Sequence, residues 1–441
     1  MSKLMTYNIH ITMKKFITLL IFLVTLSLVP GETLAARLFS TGMEFQNAAS
    51  GVEWTTTTDA PTISTTVKNG GAASLSISTA TTRRGFTHTI TSSSAYYMRT
   101  YFHVVPGAGT GAALTIGVKN ASNIYAGYVT ITEGATPTLA VFSNSTSSAI
   151  SNTASLTNNT WHRLEMFANS ADGANLDDLT VRIDGVQVAN SNTLNLVGSL
   201  VTLDIGAATV SGSGDVFYID DVAVNDISGT AQTSWPGIGK IVAARPNAAG
   251  FVACENAATF SAINETPASD AVTGATDRCD ITTNGGATVT HNVTDSSTLG
   301  INSYNTINLV YTMHRMREVT TGATNWAPLL SANGSATTTG TSFDTGDATT
   351  VRTNPNGTTA FGSGIISYTN PATGVAWTPT GTNSIDSMKL GFTSTDANPD
   401  ITNATAAAMI EYVDVVPYVP LGPLYFSTGK LIFTNGKMSI I

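Results

Sequence analysis

The chain has few charged side chains, and its cations are scattered along the sequence. Asp, Glu, Lys and Arg make up 11% of the 441 residues, against about 25% in an average soluble protein. The net charge is −9, and the densest basic segment is the short run from His314 to Arg317. A protein that binds nucleic acid through the phosphates needs a basic surface. The composition therefore argues against nucleic acid as a partner.

Cysteine is equally scarce. Only Cys254 and Cys279 are present, and no histidine lies close to either of them in sequence, so the pair is a poor metal site. In an oxidising compartment two cysteines this close in sequence tend to form a disulfide. We predict a Cys254–Cys279 disulfide, with two free buried thiols as the alternative.

Long apolar runs are missing except near the amino terminus. Met13-Lys14-Lys15 is a short positive region, and the apolar stretch from Phe16 to Val29 is followed by a Pro-Gly break and by small residues up to Ala36. This pattern predicts a signal peptide over residues 1–36, with the true start at Met13. A membrane anchor is the alternative, but the stretch is shorter than the ~20 residues that span a bilayer. We expect a secreted or cell-surface protein whose mature chain has no stable membrane span.

The abundant residues are those of strands and polar turns. Hydrophobic residues reach 42%, which supplies enough apolar surface for a core and argues against disorder. Leu114, Ile116 and Val118 alternate with Thr115 and Lys119, and this period of two is typical of a strand with one buried face. Similar segments recur at short intervals: Tyr97 to Val104, Tyr125 to Thr132, Trp161 to Phe167, Val216 to Val224 and Thr306 to Met316. We predict an all-β chain with two tandem β-sandwiches.

Composition shifts mark the domain boundaries. A polar linker around Gln232 separates a first domain, residues 37–230, from a second β-sandwich, residues 231–422. Within the second domain, the Thr-, Gly- and Asn-rich run from Ser331 to Gly357 is predicted as exposed loops. Residues 423–441 hold two similar apolar segments around Asn435-Gly436, which predict a carboxy-terminal β-hairpin tail. That hairpin would dock on its own second domain or add strands to a neighbouring chain.

Three segments of the first half resemble a known group of sandwiches. Asn159 to Glu165 and Leu179 to Val186 resemble paired strands of the laminin-G-like or concanavalin A-like jelly rolls. Phe217 to Val222 is similar to the closing strand of related carbohydrate-binding sandwiches, where it helps to hold a structural calcium ion. The resemblance implies a jelly-roll fold for the first half and a capacity to bind glycans.

The second half resembles a different group of modules. Ser234 to Gly237, Trp377 and Leu390 to Phe392 are similar to segments of phage tail proteins and of large bacterial surface proteins. This resemblance implies an extracellular structural or adhesive role. A signal peptide fits the bacterial surface protein better, since virion proteins assemble in the cytoplasm.

Two sets of residues are candidate binding sites. Glu44 opens the first domain and Asp220 and Asp221 close it. Since first and last strands of a sandwich are often neighbours, these carboxylates are predicted to converge on one structural Ca²⁺; the alternative is that they are solvated at a rim. The second set is a predicted aromatic platform for sugar rings, with core packing as its alternative: Trp54, Tyr96, Tyr101, Tyr125 and Tyr128.

Catalytic patterns are missing. None of the glutamates after the signal segment has an acidic residue two positions away, whereas a glycosidase needs two facing carboxylates. There is no Gly-x-Ser-x-Gly elbow and no Gly-rich phosphate loop followed by lysine. We therefore expect no catalytic residues and no cofactor other than calcium.

The leading hypothesis is a non-catalytic binding or adhesion protein with a glycan or surface-protein partner. The alternatives are a self-assembling extracellular subunit that associates through the hairpin, and a glycan-cleaving enzyme with acids from distant strands.

Overall fold

The computed structural model describes residues 37–415 with internal gaps, together with residues 431–434 and 437–440. The longer gaps are 172–175, 209–213, 251–278, 282–287, 319–324, 345–351, 355–364 and 395–400. The described residues form antiparallel sheets and one short 3-10 turn, Ile385–Ser387, which confirms the predicted all-β class. Within these ranges no helix has the length and apolar character needed to span a bilayer.

Two sheets come from the first half of the chain. In order of pairing, sheet 1 contains β13 (Val186–Leu194), β12 (Asp177–Ile183), β11 (Trp161–Asn169), β6 (Ala95–Val105), β15 (Val216–Asp226), β4 (Ser74–Ser78) and β3 (Thr62–Ser64), and β1 (Arg37–Thr41) also pairs with β15. Sheet 2 contains β10 (Thr146–Ser151), β9 (Thr138–Ser143), β8 (Tyr125–Thr132), β7 (Ala113–Asn120), β14 (Leu200–Ala208), β5 (Arg84–Ser93) and β2 (Thr56–Thr58). Period-two alternation places their apolar side chains between the sheets, where Leu114, Phe102 and Leu203 are fully buried.

The other two sheets come from the second half. Sheet 3 contains β16 (Lys240–Ala244), β27 (Ile401–Val413), β20 (Thr306–Glu318) and β24 (Arg352–Asn354), with β18 (Cys279–Ile281) beside β27 and β25 (Ile366–Ser367) beside β20. Sheet 4 contains β17 (Pro246–Ala249), β19 (Thr288–Val293), β26 (Lys389–Ser394), β21 (Asn325–Ser331) and β22 (Thr337–Thr339), with β23 (Phe343–Asp344) beside β21. The prediction that Ser331 to Gly357 forms only loops is therefore wrong, because β22, β23 and β24 fall inside it.

Sheet 3 is buried on both faces. Along β27, Ala407 and Met409 belong to the hydrophobic core of the first sandwich, whereas Ala408 and Ile410 belong to the core of the second. Tyr311 on β20 likewise faces the first sandwich. A strand covered on both sides carries a continuous apolar run rather than an alternating one, which accounts for the sequence Ala-Ala-Ala-Met-Ile at residues 406–410.

A buried ion-pair network joins the two halves. Glu411 of β27 forms an ion pair with Arg37 of β1 and a second, 3.0 Å long, with Arg99 of β6, and all three side chains are fully buried. Burial opposes ionisation of Glu411, but the two guanidiniums outweigh it and lower the pKa of that carboxyl to about 2. Beside the network, the Tyr311 hydroxyl donates a hydrogen bond of 2.9 Å to the Ser40 carbonyl.

The linker between the halves lies across the outer face of sheet 1. The Trp235 ring is 5.3 Å from the Tyr97 ring, centroid to centroid, and the Arg182 guanidinium lies 4.0 Å from the Trp235 centroid. The Gly237 amide donates to Glu165 Oε1 at 3.0 Å. The linker and sheet 3 therefore cover the central part of sheet 1 from outside, and the division of the chain into domains at residue 230 stays a prediction.

The predicted carboxy-terminal hairpin is present as β28 (Leu431–Thr434) paired with β29 (Lys437–Ile440). The predicted signal peptide over residues 1–36, and its start at Met13, lie outside the described residues. Cys279 is buried in β18, but Cys254 lies outside the described ranges, so the Cys254–Cys279 disulfide stays a prediction.

The Glu411 network predicts a large effect on stability. We expect Glu411→Gln to lower the free energy of unfolding by about 3 to 5 kcal/mol, because it leaves two buried guanidiniums without their counter-charge. Asp414→Asn is the control: the Asp414 side chain is 46% exposed and pairs with Lys240 at 3.3 Å, so its loss should cost less than about 1 kcal/mol. Urea unfolding of both variants measures the difference, and equal costs would contradict the structural role of Glu411.

Candidate functional site

The outer face of sheet 2 lies on the opposite side of the first sandwich from the linker and sheet 3. Its side chains alternate with those of the core, so that Lys119, Tyr125 and Tyr128 point outward while Val118 and Val129 are buried. We call this surface the sheet 2 face and define it by six residues: Arg83, Lys119, Tyr125, Tyr128, Phe142 and Asp204.

Asp204 organises the charged part of the sheet 2 face. Its side chain is fully buried on β14 and forms ion pairs with Arg83 and Lys119. Its Oδ2 atom also accepts a hydrogen bond of 2.9 Å from the Tyr125 hydroxyl. Burial, and then the negative charge of Asp204, raise the pKa of Tyr125 far above its usual value, so the hydroxyl stays a hydrogen-bond donor. One carboxylate thus fixes two cations and a phenol at the surface.

The aromatic part of the face is a row of three rings on β8 and β9. The Tyr125 and Tyr128 centroids are 4.8 Å apart, and the Tyr128 and Phe142 rings are stacked at 5.0 Å. The Lys119 ammonium lies 4.4 Å from the Tyr125 centroid. All three rings are half-buried, so part of each ring is open to solvent.

Two glycines make room for this arrangement. A Cβ atom at Gly117 would lie 2.5 Å from Cβ of Tyr128 and 3.0 Å from Cδ1 of Tyr125, and one at Gly206 would lie 2.5 Å from Cζ of Arg83. Any larger residue at these positions would lift the rings or the guanidinium off the sheet. Gly117 pairs directly with Asp204, so the space left by its missing side chain lies where the charged and aromatic groups meet.

The structure separates the residues of the predicted aromatic platform, and the sugar-binding role of those at the surface stays a prediction. Tyr125 and Tyr128 lie together on the sheet 2 face, but Trp54 and Tyr96 are wrong as ligand contacts because both are buried. The ring centroids of Trp54 and Phe86 are 3.5 Å apart, and the Tyr96 hydroxyl donates a hydrogen bond of 2.7 Å to the Leu200 carbonyl. Tyr101 is half-buried on the outer face of sheet 1, far from the other two.

Sequence reasoning missed four residues of the face: Arg83, Lys119, Phe142 and Asp204. A signal for Asp204 was available, since it is the one acidic residue in the seven described strands of sheet 2 and stands between the apolar Leu203 and Ile205. An isolated acid inside a strand, with apolar neighbours on both sides, points outward and needs a partner. Arg83 had no such signal. It lies just before β5, outside any strand, so strand alternation could not assign its side chain to this face.

The predicted calcium ligands form a separate, buried cluster at the junction of the two halves. Asn69 connects two of them, donating its amide to Asp220 Oδ2 at 2.8 Å and its side chain to Asp221 Oδ2 at 2.7 Å. Ala72 donates to Glu44 Oε1 at 2.8 Å. The second half also contributes, since the Ile241 amide donates to Asp221 Oδ1 at 2.7 Å.

Protonation of this acidic cluster is strongly perturbed. Burial raises the pKa of Glu44 to about 8 and that of Asp221 to about 6. Burial, and then the neighbouring Asp221 carboxylate, raise the pKa of Asp220. Each carboxylate oxygen of the three residues accepts an N–H group. In the described part of the chain, no group of three acidic, histidine or cysteine side chains has an arrangement that would hold a metal ion. The predicted structural Ca²⁺ therefore stays a prediction.

The acidic cluster predicts a pH dependence. Because the pKa of Glu44 is raised in the folded state, the folded chain binds more protons than the unfolded chain between about pH 4.5 and 8, and stability falls as pH rises through that window. Relative to Glu44→Gln, the wild type should lose stability from pH 5 to 8, at about 1.4 kcal/mol per unit of pKa shift. Urea unfolding at each pH measures this loss, with Asp295→Asn, an exposed aspartate, as the control.

The same unfolding experiment, carried out with calcium and with a chelator, tests the Ca²⁺ prediction. If an ion binds the carboxylates, calcium should raise the unfolding midpoint at pH 8 relative to a chelator, and Glu44→Gln should remove that difference. Identical midpoints with calcium and with chelator would contradict the calcium prediction. An equal pH dependence in wild type and Glu44→Gln would contradict the raised pKa.

No protein-family model matches the chain, and no curated protein matches it. Among solved structures, a sialidase is similar with a TM-score of 0.32 and 13% identity, covering 44% of this chain and 19% of the sialidase chain. The Emp46p carbohydrate recognition domain in its metal-free form has a TM-score of 0.32 and 11% identity, covering 42% of this chain and 95% of that domain. The alginate lyase Aly36B has a TM-score of 0.31 and 11% identity, covering 44% of this chain and 99% of the lyase chain. At these scores the likenesses carry no conclusion about function. Two packed antiparallel sheets are what the concanavalin A-like resemblance predicted for the first half, and membership of that group stays a prediction.

Proposed function

We propose that the chain is an exported, non-catalytic carbohydrate-binding protein whose sugar site is the sheet 2 face. The observation that carries this proposal is the row of half-buried rings formed by Tyr125, Tyr128 and Phe142, edged by polar groups that are held in place. Sugar rings have apolar faces formed by C–H groups and polar edges formed by hydroxyls. A row of aromatic rings beside fixed hydrogen-bonding groups complements both.

The polar surroundings support the same proposal. Outward-facing threonines accompany the rings along the strands of sheet 2: Thr87, Thr115, Thr130, Thr132 and Thr202. Hydroxyls both donate and accept hydrogen bonds, as sugar hydroxyls do. Threonine also suits a half-buried strand, so the sheet keeps its stability while its outer face offers such groups in regular rows.

A non-catalytic role is part of the proposal. Hydrolysis by paired carboxylates needs an acid and a base or nucleophile across the sugar, but the described strands of sheet 2 contain Asp204 alone. Asp204 is buried, and its carboxylate oxygens are already bound by two cations and a phenol. Release of reducing ends or unsaturated products from a bound polysaccharide would replace this proposal with the glycan-cleaving alternative.

Removing a ring from the row should weaken binding. We expect Tyr128→Ala and Phe142→Ala each to raise the dissociation constant of a glycan on the order of 2- to 10-fold, since an aromatic contact contributes about 0.5 to 1.5 kcal/mol. A glycan array identifies the ligand, and isothermal titration calorimetry measures the constants. Trp161→Ala is the control, because Trp161 is a half-buried aromatic residue on the outer face of sheet 1, next to His103. If Trp161→Ala were the only variant to lose glycan binding, the sugar site would lie on sheet 1 instead of sheet 2.

Self-association through the carboxy-terminal hairpin is a second candidate function. Among the described strands, β28 and β29 pair only with each other, and an isolated two-stranded hairpin is at best marginally stable. Its open edges are suited to adding strands to another chain. Deleting residues 424–441 should convert an oligomer to a monomer in sedimentation velocity without changing glycan binding. An unchanged oligomeric state after the deletion would contradict this role.

A further inference from the structure

We infer that the sheet 2 face selects acidic sugars, whose carboxylate or sulfate groups are bound by Arg83 and Lys119. This inference rests on the proposed function and adds to it the chemical class of the ligand. The two cations share one counter-charge, Asp204, so the six residues of the face carry one net positive charge within a chain whose net charge is −9. The strands of sheet 2 supply no second carboxylate in the described residues.

The two cations are held at the surface with donors to spare. The Arg83 side chain is 33% exposed and that of Lys119 is 14% exposed, while Asp204 beneath them is fully buried. Each cation forms an ion pair with Asp204, and Arg83 also makes a side-chain hydrogen bond with Tyr125. A guanidinium has five N–H donors and an ammonium has three, so both keep donors that an incoming anion can accept. Arg84, the next residue, differs because its guanidinium donates to Ser78 Oγ at 2.6 Å.

Their placement relative to the aromatic row suits a ring that bears an acid group. The Lys119 ammonium lies over the Tyr125 ring, 4.4 Å from its centroid, and the Arg83 guanidinium lies next to Gly206 on the neighbouring strand. A sugar that packs on the exposed part of the row next to Lys119 would carry its acidic substituent towards these two cations. A guanidinium binds a carboxylate or sulfate through two parallel hydrogen bonds, which gives a geometric as well as an electrostatic preference.

A platform for neutral sugars alone would not need this arrangement. Burying Asp204 with two cations costs desolvation energy for three charged groups, and a neutral ligand recovers none of it. An anionic ligand supplies the missing counter-charge at the partly desolvated side of the cations. Asp204 is then a positioning residue that keeps Arg83 and Lys119 at a fixed spacing without neutralising both of them.

The experiment uses the full-length mature chain and four oligosaccharides of equal length. These are an oligogalacturonate, a neutral β-glucan oligomer, a sulfated derivative of that oligomer and a neutral galactan oligomer. Dissociation constants are measured by titration calorimetry in about 20 mM and 300 mM NaCl. We expect the acidic oligomers to bind at least about 10-fold more tightly than the neutral ones at low salt, and to lose that advantage at high salt as screening grows. The uronate and sulfated arms distinguish the two kinds of acid group.

Variants connect the preference to the two cations. Arg83→Gln and Lys119→Gln should each weaken acidic ligands about 3- to 10-fold more than they weaken neutral ligands, whereas Tyr128→Ala should weaken both kinds to a similar extent. Arg163→Gln is the matched control, since Arg163 lies on sheet 1, where it pairs with Glu165 at 3.3 Å. If a Gln variant fails to fold, Arg83→Lys and Lys119→Arg keep the charge, and the salt dependence of the wild type still tests the preference.

The outcomes separate this inference from the proposed function. Equal or tighter binding of the neutral oligomers, or a salt-independent preference, overturns the acidic-sugar inference and leaves carbohydrate binding standing. Absence of binding to all four oligomers and to every sugar on a glycan array overturns both. An acidic preference that survives Arg83→Gln and Lys119→Gln together also overturns the inference, because the charge would then be supplied from elsewhere.

Discussion

The buried contact of Glu411 with Arg37 and Arg99 determines which surfaces of the protein remain open. Three charged groups without solvent exposure are stable only when their geometry satisfies all of them, and here they come from β27, β1 and β6. The contact fixes sheet 3 against the first sandwich, and the apolar face formed by Leu309, Tyr311 and Met409 joins the same core. Two sandwiches that would otherwise move independently are thereby packed as one unit.

This packing covers one outer face of the first sandwich and leaves the other open. Sheet 1 is covered by sheet 3 at Arg99 and by the linker at Trp235, although it carries aromatic residues of its own. The opposite face keeps its rings and cations at the surface. Both sheets contain outward-facing aromatic residues, so the proposal of sheet 2 as the binding surface rests on which face the interface leaves open and not on aromatic content.

Much of the fold was predictable because period-two alternation is local. The strand predicted at Tyr125 to Thr132 agrees residue for residue with β8, and that predicted at Thr306 to Met316 lies within β20. The site was less predictable, because alternation separates two faces without saying which is interior. Trp54 and Tyr96 were placed with Tyr128 on chemical type alone, yet both fill the core. Burial of β27 on both faces depends on contacts between residues more than 300 positions apart, which no sequence window contains.

The scarcity of charge explains how one chain forms sites of opposite character. At the junction, the carboxylates of Glu44, Asp220 and Asp221 are buried with N–H donors as their closest polar partners, and their pKa values rise. On sheet 2, Asp204 is equally buried but meets two cations, and the excess charge there is positive. Burial is the same in both places, so the partner decides the outcome. Dipolar amides leave carboxylates with raised pKa values, whereas two cations around one carboxylate leave a positive charge at the surface. In a chain with few charges, each such cluster has little competition from its surroundings and can control a local property.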